Sequence, residues 1–193
     1  MYQDNNPSNN EWLVKDNNIK LREKCQPVLF PISKNDELIM QKLINFVITS
    51  QNEALNSSLK LIPAVGLAAP QIGCNKQMYY IHIEQIDKNN KKTIIQHALI
   101  NSKITAHSEQ IISLKSGEGC LSVDNHHEGF VPRYFKVIVT GYDYLKKKNV
   151  TITARGYEAI VFQHEQKHLE GILYYDLIDK NEPWKKNDNW LYL

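Results

Sequence analysis

At 193 residues the chain is long enough for one domain with a substantial core, and its 42% hydrophobic and 23% charged residues are ordinary for a soluble globular protein. The formal net charge of +2 is too small to argue for nucleic-acid binding. No stretch has the length of a membrane-spanning helix and the first residues lack the apolar core of a signal peptide, so no membrane partner is expected and the expected location is the cytoplasm.

Residues 1–20 are rich in Asn and Asp, with little apolar periodicity, and are expected to form a mobile or loosely docked extension. Over 37–59, Leu38, Leu43, Phe46, Val47 and Leu55 recur at near-helical spacing, which predicts an amphipathic helix. Residues 78–83 (MYYIHI) and 93–100 read as strands joined by a polar turn over 87–92. Residues 136–142 (KVIVTGY) and 150–154 (VTITA) predict a second hairpin across a turn at 146–149. The basic run Lys146, Lys147, Lys148 follows Asp143 closely and reads as a solvated turn. A helix is predicted over 157–170, with Ile160, Val161 and Leu169 on its apolar side and Gly171 where a C-terminal cap belongs. The tail 180–193 is polar, then ends in Trp190, Leu191, Tyr192 and Leu193, a pattern that specifies no form. Strands with helices before and after them indicate an α+β domain. Three cysteines, Cys25, Cys74 and Cys120, leave one over from any pairing, so they read as free thiols or metal ligands.

The strongest local signal is His164-Glu165-Gln166-Lys167-His168. On a helix, residues four apart share a face, so His164 and His168 can hold one ion through two imidazoles. Glu165 beside them can take a proton from an attacking water. The same pattern also fits a surface helix with two histidines, but the apolar residues before it turn this face inward. Two histidines leave a tetrahedral hydrolytic site one protein ligand short. Cys120 is the best candidate for the third, in Ser116-Gly117-Glu118-Gly119-Cys120-Leu121-Ser122, where small residues let backbone approach a ligand; a buried structural cysteine is the alternative. A third segment, Val65-Gly66-Leu67-Ala68-Ala69-Pro70-Gln71, is small and apolar and ends in one amide. Gln71 can offer an N–H to a developing oxyanion, or simply bond backbone in a turn.

Together, GLAAPQ (66–71), EGCLS (118–122) and QHEQKH (163–168) resemble, in order, the three signatures of the peptide deformylases. The resemblance spans roughly residues 21–179, which it implies are the catalytic domain, with 1–20 as extension and 180–193 as tail. It implies an α+β deformylase fold, with antiparallel strands wrapped around a central helix that carries the two histidines. It implies one divalent ion held by Cys120, His164 and His168, usually iron(II) in the cell, with zinc, nickel or cobalt able to substitute. Glu165 becomes the general base and later the proton donor to the leaving amine. Gln71 and the backbone N–H of Leu121 become oxyanion donors, and Glu118 orients its neighbours. Gly66 and Gly119 flank a substrate backbone that adds as a strand, and Ile160, Val161 and His164 line a pocket for the methionine side chain. The implied substrates are N-formylmethionyl nascent peptides, with the ribosome as a further partner.

Three positions depart from the family pattern. Ala64 replaces the Gly usual two residues before Gly66, Lys167 replaces a usual Asp, and Asp124-Asn125-His126-His127-Glu128 stands where Pro and then Arg are common. Adjacent His126 and His127 read as an exposed loop. Two other functions compete: a non-catalytic peptide- or ribosome-binding relative, and a zinc-helix metallopeptidase taking its third ligand from Asp176, Asp179 or Glu182. The second leaves GLAAPQ and EGCLS without a purpose.

Overall fold

A computed structural model of the chain describes residues 8–86 and 90–193. In chain order its main elements are α1 (Lys34–Gln51), α2 (Glu53–Asn56), β1 (Gly66–Ala68), β2 (Met78–Ile86), β3 (Lys92–His107), β4 (Ile111–Ser113), β5 (Arg133–Tyr134), β6 (Lys136–Asp143), β7 (Lys148–Arg155), α3 (Tyr157–Leu169) and β8 (Trp190–Tyr192). An antiparallel sheet runs β1-β2-β3-β6-β7, and a small sheet runs β5-β4-β8. Residues of the 87–92 turn at 87–89 lie outside those described.

The MYYIHI run is apolar at nearly every position because β2 is covered on both faces. Successive strand residues point to opposite sides. Tyr79, Ile81 and Ile83 pack with Leu99, Val137, Val139 and the α3 residues Ala159, Val161 and Phe162. Met78 and Tyr80 pack with Ala98, Ile100 and the α1 residues Met40, Leu43, Phe46 and Val47. The result is an α+β fold with α3 against one face of the sheet and α1 against the other.

Three elements differ from their expected bounds. The helix predicted over 37–59 starts at Lys34, where the Ser33 hydroxyl oxygen accepts from the Asp36 N–H at 3.1 Å, and stops at Gln51. It breaks because Asn52 is extended and its side chain caps the next short helix, accepting from Leu55 N–H at 3.0 Å. β3 runs past 100 to His107, with register irregularities between Ile100 and Lys103 and between Ile104 and Ala106 that let it pair with both β2 and β6. The second hairpin turns earlier than 146–149, since Asp143 already pairs with Lys148.

The chain ends are also placed. Residues 8–20 are docked on the body through two short 3-10 turns, Asn10–Trp12 and Ile19–Arg22, with Leu13 buried; residues 1–7 lie outside those described. The tail supplies β8, which pairs in parallel with β4.

α3 is buried nearly all round, which its weak apolar stripe does not announce. Its two buried glutamines are each satisfied by hydrogen bonds. Gln163 accepts from Tyr134 N–H and donates to Tyr134 O, both at 2.9 Å, and Gln166 accepts from the Ser102 hydroxyl at 2.9 Å. The helix closes as expected at Gly171. Gly171 N–H donates to His168 O at 3.2 Å and Ile172 N–H to Lys167 O at 2.9 Å, a complete Schellman cap with φ +75° at the glycine. A side chain there would meet the Arg22 carbonyl carbon at 2.6 Å.

Candidate active site

α3 carries His164, Glu165 and His168 within little more than one helical turn. His164 Nε2 and His168 Nε2 lie 3.2 Å apart, and Cys120 Sγ lies 3.3 Å from His168 Nε2. All three donor atoms fall within 4.8 Å of one another, and among the described residues this is the one His/Cys/Asp/Glu group that converges in this way. An ion about 2.0–2.1 Å from two imidazole nitrogens in tetrahedral geometry holds them about 3.3–3.4 Å apart. The observed 3.2 Å is close to that spacing, so the two imidazoles can share one divalent ion. Asp176, Asp179 and Glu182 do not join the cluster. Asp176 pairs with Arg22, Asp179 caps the N–H groups of Asn181 and Glu182, and Glu182 pairs with Lys185.

A buried ion pair stands beside the cluster. Glu118 Oε2 lies 2.8 Å from His164 Nδ1, and Arg133 donates to both Glu118 oxygens at 2.9 Å. Burial opposes the Glu118 charge, but Arg133 and then His164 outweigh it and hold the carboxyl at about 2. Burial likewise opposes a charged His164, yet its bonds to Cys120 and Glu118 raise it to about 10. His168 goes the other way, pushed well down by burial and then by the His164 charge.

Glu165 is buried and turned toward β1. Its Oε2 is without a partner among the described residues, as is His168 Nδ1. Burial pushes its carboxyl up to about 7. Gly66 is the residue that makes room for it: a Cβ there would come within 2.8 Å of Glu165 Cδ. Gln71 follows in the 3-10 turn Ala69–Ile72, which Pro70 helps to start. Its Oε1 accepts from Ala68 N–H at 2.9 Å, which points its NH2 at Cys120 Sγ (3.5 Å) and Ser122 Oγ (3.3 Å).

A cavity of about 540 Å³ opens beside these groups. Its walls include Gly66, Gln71, Gly119, Leu121, Ile160 and Val161, together with Cys120, His164 and Glu165. Every site residue that the deformylase resemblance implies therefore lines this one cavity except His168, which is buried. β1, which among the described residues pairs only with β2, is the edge strand bordering the cavity. Ala64 also borders it, but is buried among the α1 core residues and held by Ser50 and Gln51. His126 and His127 are exposed, as expected, although His127 stacks on Tyr175 with ring centroids 4.1 Å apart. Arg133 and Lys15 had no place in the sequence reading. An isolated Arg in a two-residue strand carries no local signal of its partner.

A family model described as polypeptide deformylase matches residues 10–184. The chain belongs to the peptide deformylase family. It is 44% identical over 179 residues to "Peptide deformylase 2" of Bacillus subtilis, covering 93% of this chain and 95% of that one. Among solved structures it is similar to a probable peptide deformylase from Synechococcus phage S-SSM7, with a TM-score of 0.65, 29% identity, and coverage of 86% and 98%. A Met-Ala-Ser-bound class I type b deformylase from Acinetobacter baumannii shares the fold, with a TM-score of 0.66 at 24% identity and coverage of 86% and 96%. Membership makes the chain a hydrolase that removes the N-formyl group from N-formylmethionyl peptides. No helix among the described residues is long and apolar enough to cross a membrane.

Proposed function

We propose that Cys120, His164 and His168 hold one divalent ion, iron(II) in the cell, with zinc, nickel or cobalt able to take its place. The observation that carries this reading is the convergence of one sulfur and two Nε2 atoms within 4.8 Å of one another. Such an ion supplies Lewis acidity toward the formyl oxygen and makes water a nucleophile near neutral pH.

The chain's own residues do the rest. Glu165, beside the helix face that bears both histidines, takes a proton from the attacking water and delivers it to the leaving amine. The Gln71 amide and the Leu121 N–H donate to the formyl oxygen as it becomes negative, so their bonds strengthen in the tetrahedral state and lower the barrier. Glu118 holds the His164 ring through Nδ1, leaving Nε2 for the ion. The peptide lies as an added strand on the free edge of β1, between Gly66 and Gly119, and its methionine side chain enters the apolar wall formed by Ile160 and Val161. The Met-Ala-Ser found in the Acinetobacter enzyme is the product expected from a formylated tripeptide. Nascent chains emerging from the ribosome in the cytoplasm are the proposed source of substrate.

The test is to load the protein with nickel or iron, supply formyl-Met-Ala-Ser, and quantify formate and peptide-bond cleavage separately. Formate should appear in equal amount with intact Met-Ala-Ser. Glu165→Ala should keep the ion and lose about 100- to 10,000-fold in rate. Cleaved peptide bonds would turn the reading toward a peptidase. A fully loaded protein that releases no formate would turn it toward a binding module.

A further inference from the structure

Gln71 and Leu121 lie on segments that share no strand or helix. Their N–H groups nevertheless have to meet one oxygen. Two sets of hydrogen bonds join the segments. On the cavity side, the Gln71 amide donates to Cys120 Sγ and Ser122 Oγ. A second set runs through residues 14–16, which lie between them. Val14 N–H donates to Gln71 O at 2.8 Å, Lys15 Nζ to Leu121 O at 2.9 Å, and Asp16 N–H to Ser122 O at 2.8 Å. An amide that turns its N–H groups to a substrate oxygen gives up the cavity-side bonds. The bonds through residues 14–16 survive that turn.

The bridging segment is anchored at both ends. Leu13 is buried in the α1 core, and the neighbouring Trp12 ring lies 5.1 Å from the Lys42 ammonium. At the other end Asp16 Oδ2 accepts from the Tyr175 hydroxyl at 3.3 Å, and Tyr175 in turn accepts from Arg22 at 2.7 Å. Lys15 supplies the side-chain link. Its ammonium also pairs with Asp124 at 2.7 Å, so two acceptors on the Cys120 loop fix its head at the cavity rim. Its bond to the Leu121 carbonyl is charge-assisted, stronger than a neutral amide bond.

We propose that Lys15 is a positioning residue for deformylation. With the backbone of residues 14–16 it holds the Leu121 loop at the distance from Gln71 at which both N–H donors reach the same oxygen. The inference rests on the reading of Gln71 and Leu121 as oxyanion donors. Displacements well below an ångström are enough to matter for such a pair.

The experiment is a double-mutant cycle on the full, nickel-loaded chain. Lys15→Met keeps the stem and removes the donor. It should lower kcat about tenfold with KM changed less than about twofold, and Lys15→Arg should restore most of the rate. Amide hydrogen exchange at Leu121 and Ser122 should quicken in Lys15→Met, a readout independent of turnover. In a Gln71→Ala background, Lys15→Met should cost less than about twofold, because the donor pair is already broken. An unchanged kcat in Lys15→Met, or the same tenfold loss in both backgrounds, overturns the proposal while leaving the donor reading intact. If Gln71→Ala alone leaves kcat unchanged, the donor reading falls and the proposal falls with it.

Discussion

Glu118 Oε2 lies 2.8 Å from His164 Nδ1, and Arg133 donates to both oxygens of the same carboxylate. The imidazole is thus oriented by a buried carboxylate that is itself held on its other edge by a buried guanidinium. Glu118→Gln keeps the shape and removes the charge. It should weaken ion retention about 10- to 100-fold, as loss of a carboxylate behind a ligating histidine generally does. Competition with a chromophoric chelator would measure it. Affinity within twofold of the native protein would mean that the Glu118 charge does not tune the ligand.

Gly66 gives Glu165 its room. Gly66→Ala would place a methyl within 2.8 Å of Glu165 Cδ, so the carboxylate has to move. The expected outcome is unchanged ion content and a kcat lower by about 100-fold, the scale of an ångström-sized misplacement at a reacting centre. Metal analysis alongside formate release checks both halves. A rate within threefold would show that the base tolerates the displacement.

Lys167 occupies a position where the family usually has Asp, inside the histidine motif. Its ammonium is 2.7 Å from Glu170 Oε2, on the partly exposed flank of α3. It is engaged there, so it does not neutralise Glu165. Lys167→Asp should alter kcat by less than about tenfold, or about 1.4 kcal/mol of barrier. Steady-state formate assays would decide, and a gain of several hundredfold would mark the native chain as an impaired enzyme.

Asp143 gives the fold an acid-side dependence away from the site. Its side chain is fully buried, near His97 Nδ1 at 3.0 Å and accepting from Leu145 N–H at 3.0 Å. Burial opposes its charge, but the bonds to His97 and to the Lys146 backbone prevail and lower its pKa. A carboxyl lowered on folding contributes stability above its unfolded pKa and loses it as pH falls through the folded value. Asp143→Asn should therefore melt below the native protein at pH 7, with the gap narrowing below about pH 4. Thermal melts from pH 7 to pH 3 would show it, and a gap constant with pH would assign the loss to packing instead.

The residues of the site were legible where their chemistry is local. His164 and His168 sit one helical turn apart, so spacing alone puts them on one face. Cys120 and Gln71 came from motifs whose neighbours are small. Arg133 was not legible, because its partner Glu118 lies 15 residues away across an irregular loop. The docking of residues 8–20 was hidden for a related reason. It depends on backbone N–H groups and one lysine reaching chain more than 50 residues distant, and backbone bonding leaves no mark on side-chain periodicity. The break at Asn52 is a capping event inside an apolar pattern that otherwise continues to Leu55. β4, β5 and β8 are two or three residues each, too short for alternation to register.

The pairing of β4 with β5 makes residues 114–132 one long irregular excursion from the small sheet, with Cys120 on it and Glu118 tied back to Arg133 where it returns. The two histidines need only their own helix, whereas the sulfur needs this excursion to be closed. Assembly and dismantling are therefore unequal. As denaturant rises, the excursion should open before the five-stranded sheet melts, leaving a two-histidine stub that exchanges its ion freely. Chelator-accessible metal should then appear while far-ultraviolet circular dichroism is still native, and release that coincides with global melting would contradict this order. Ion escape would serve as an early gauge of mild stress on the protein, well ahead of any loss of secondary structure.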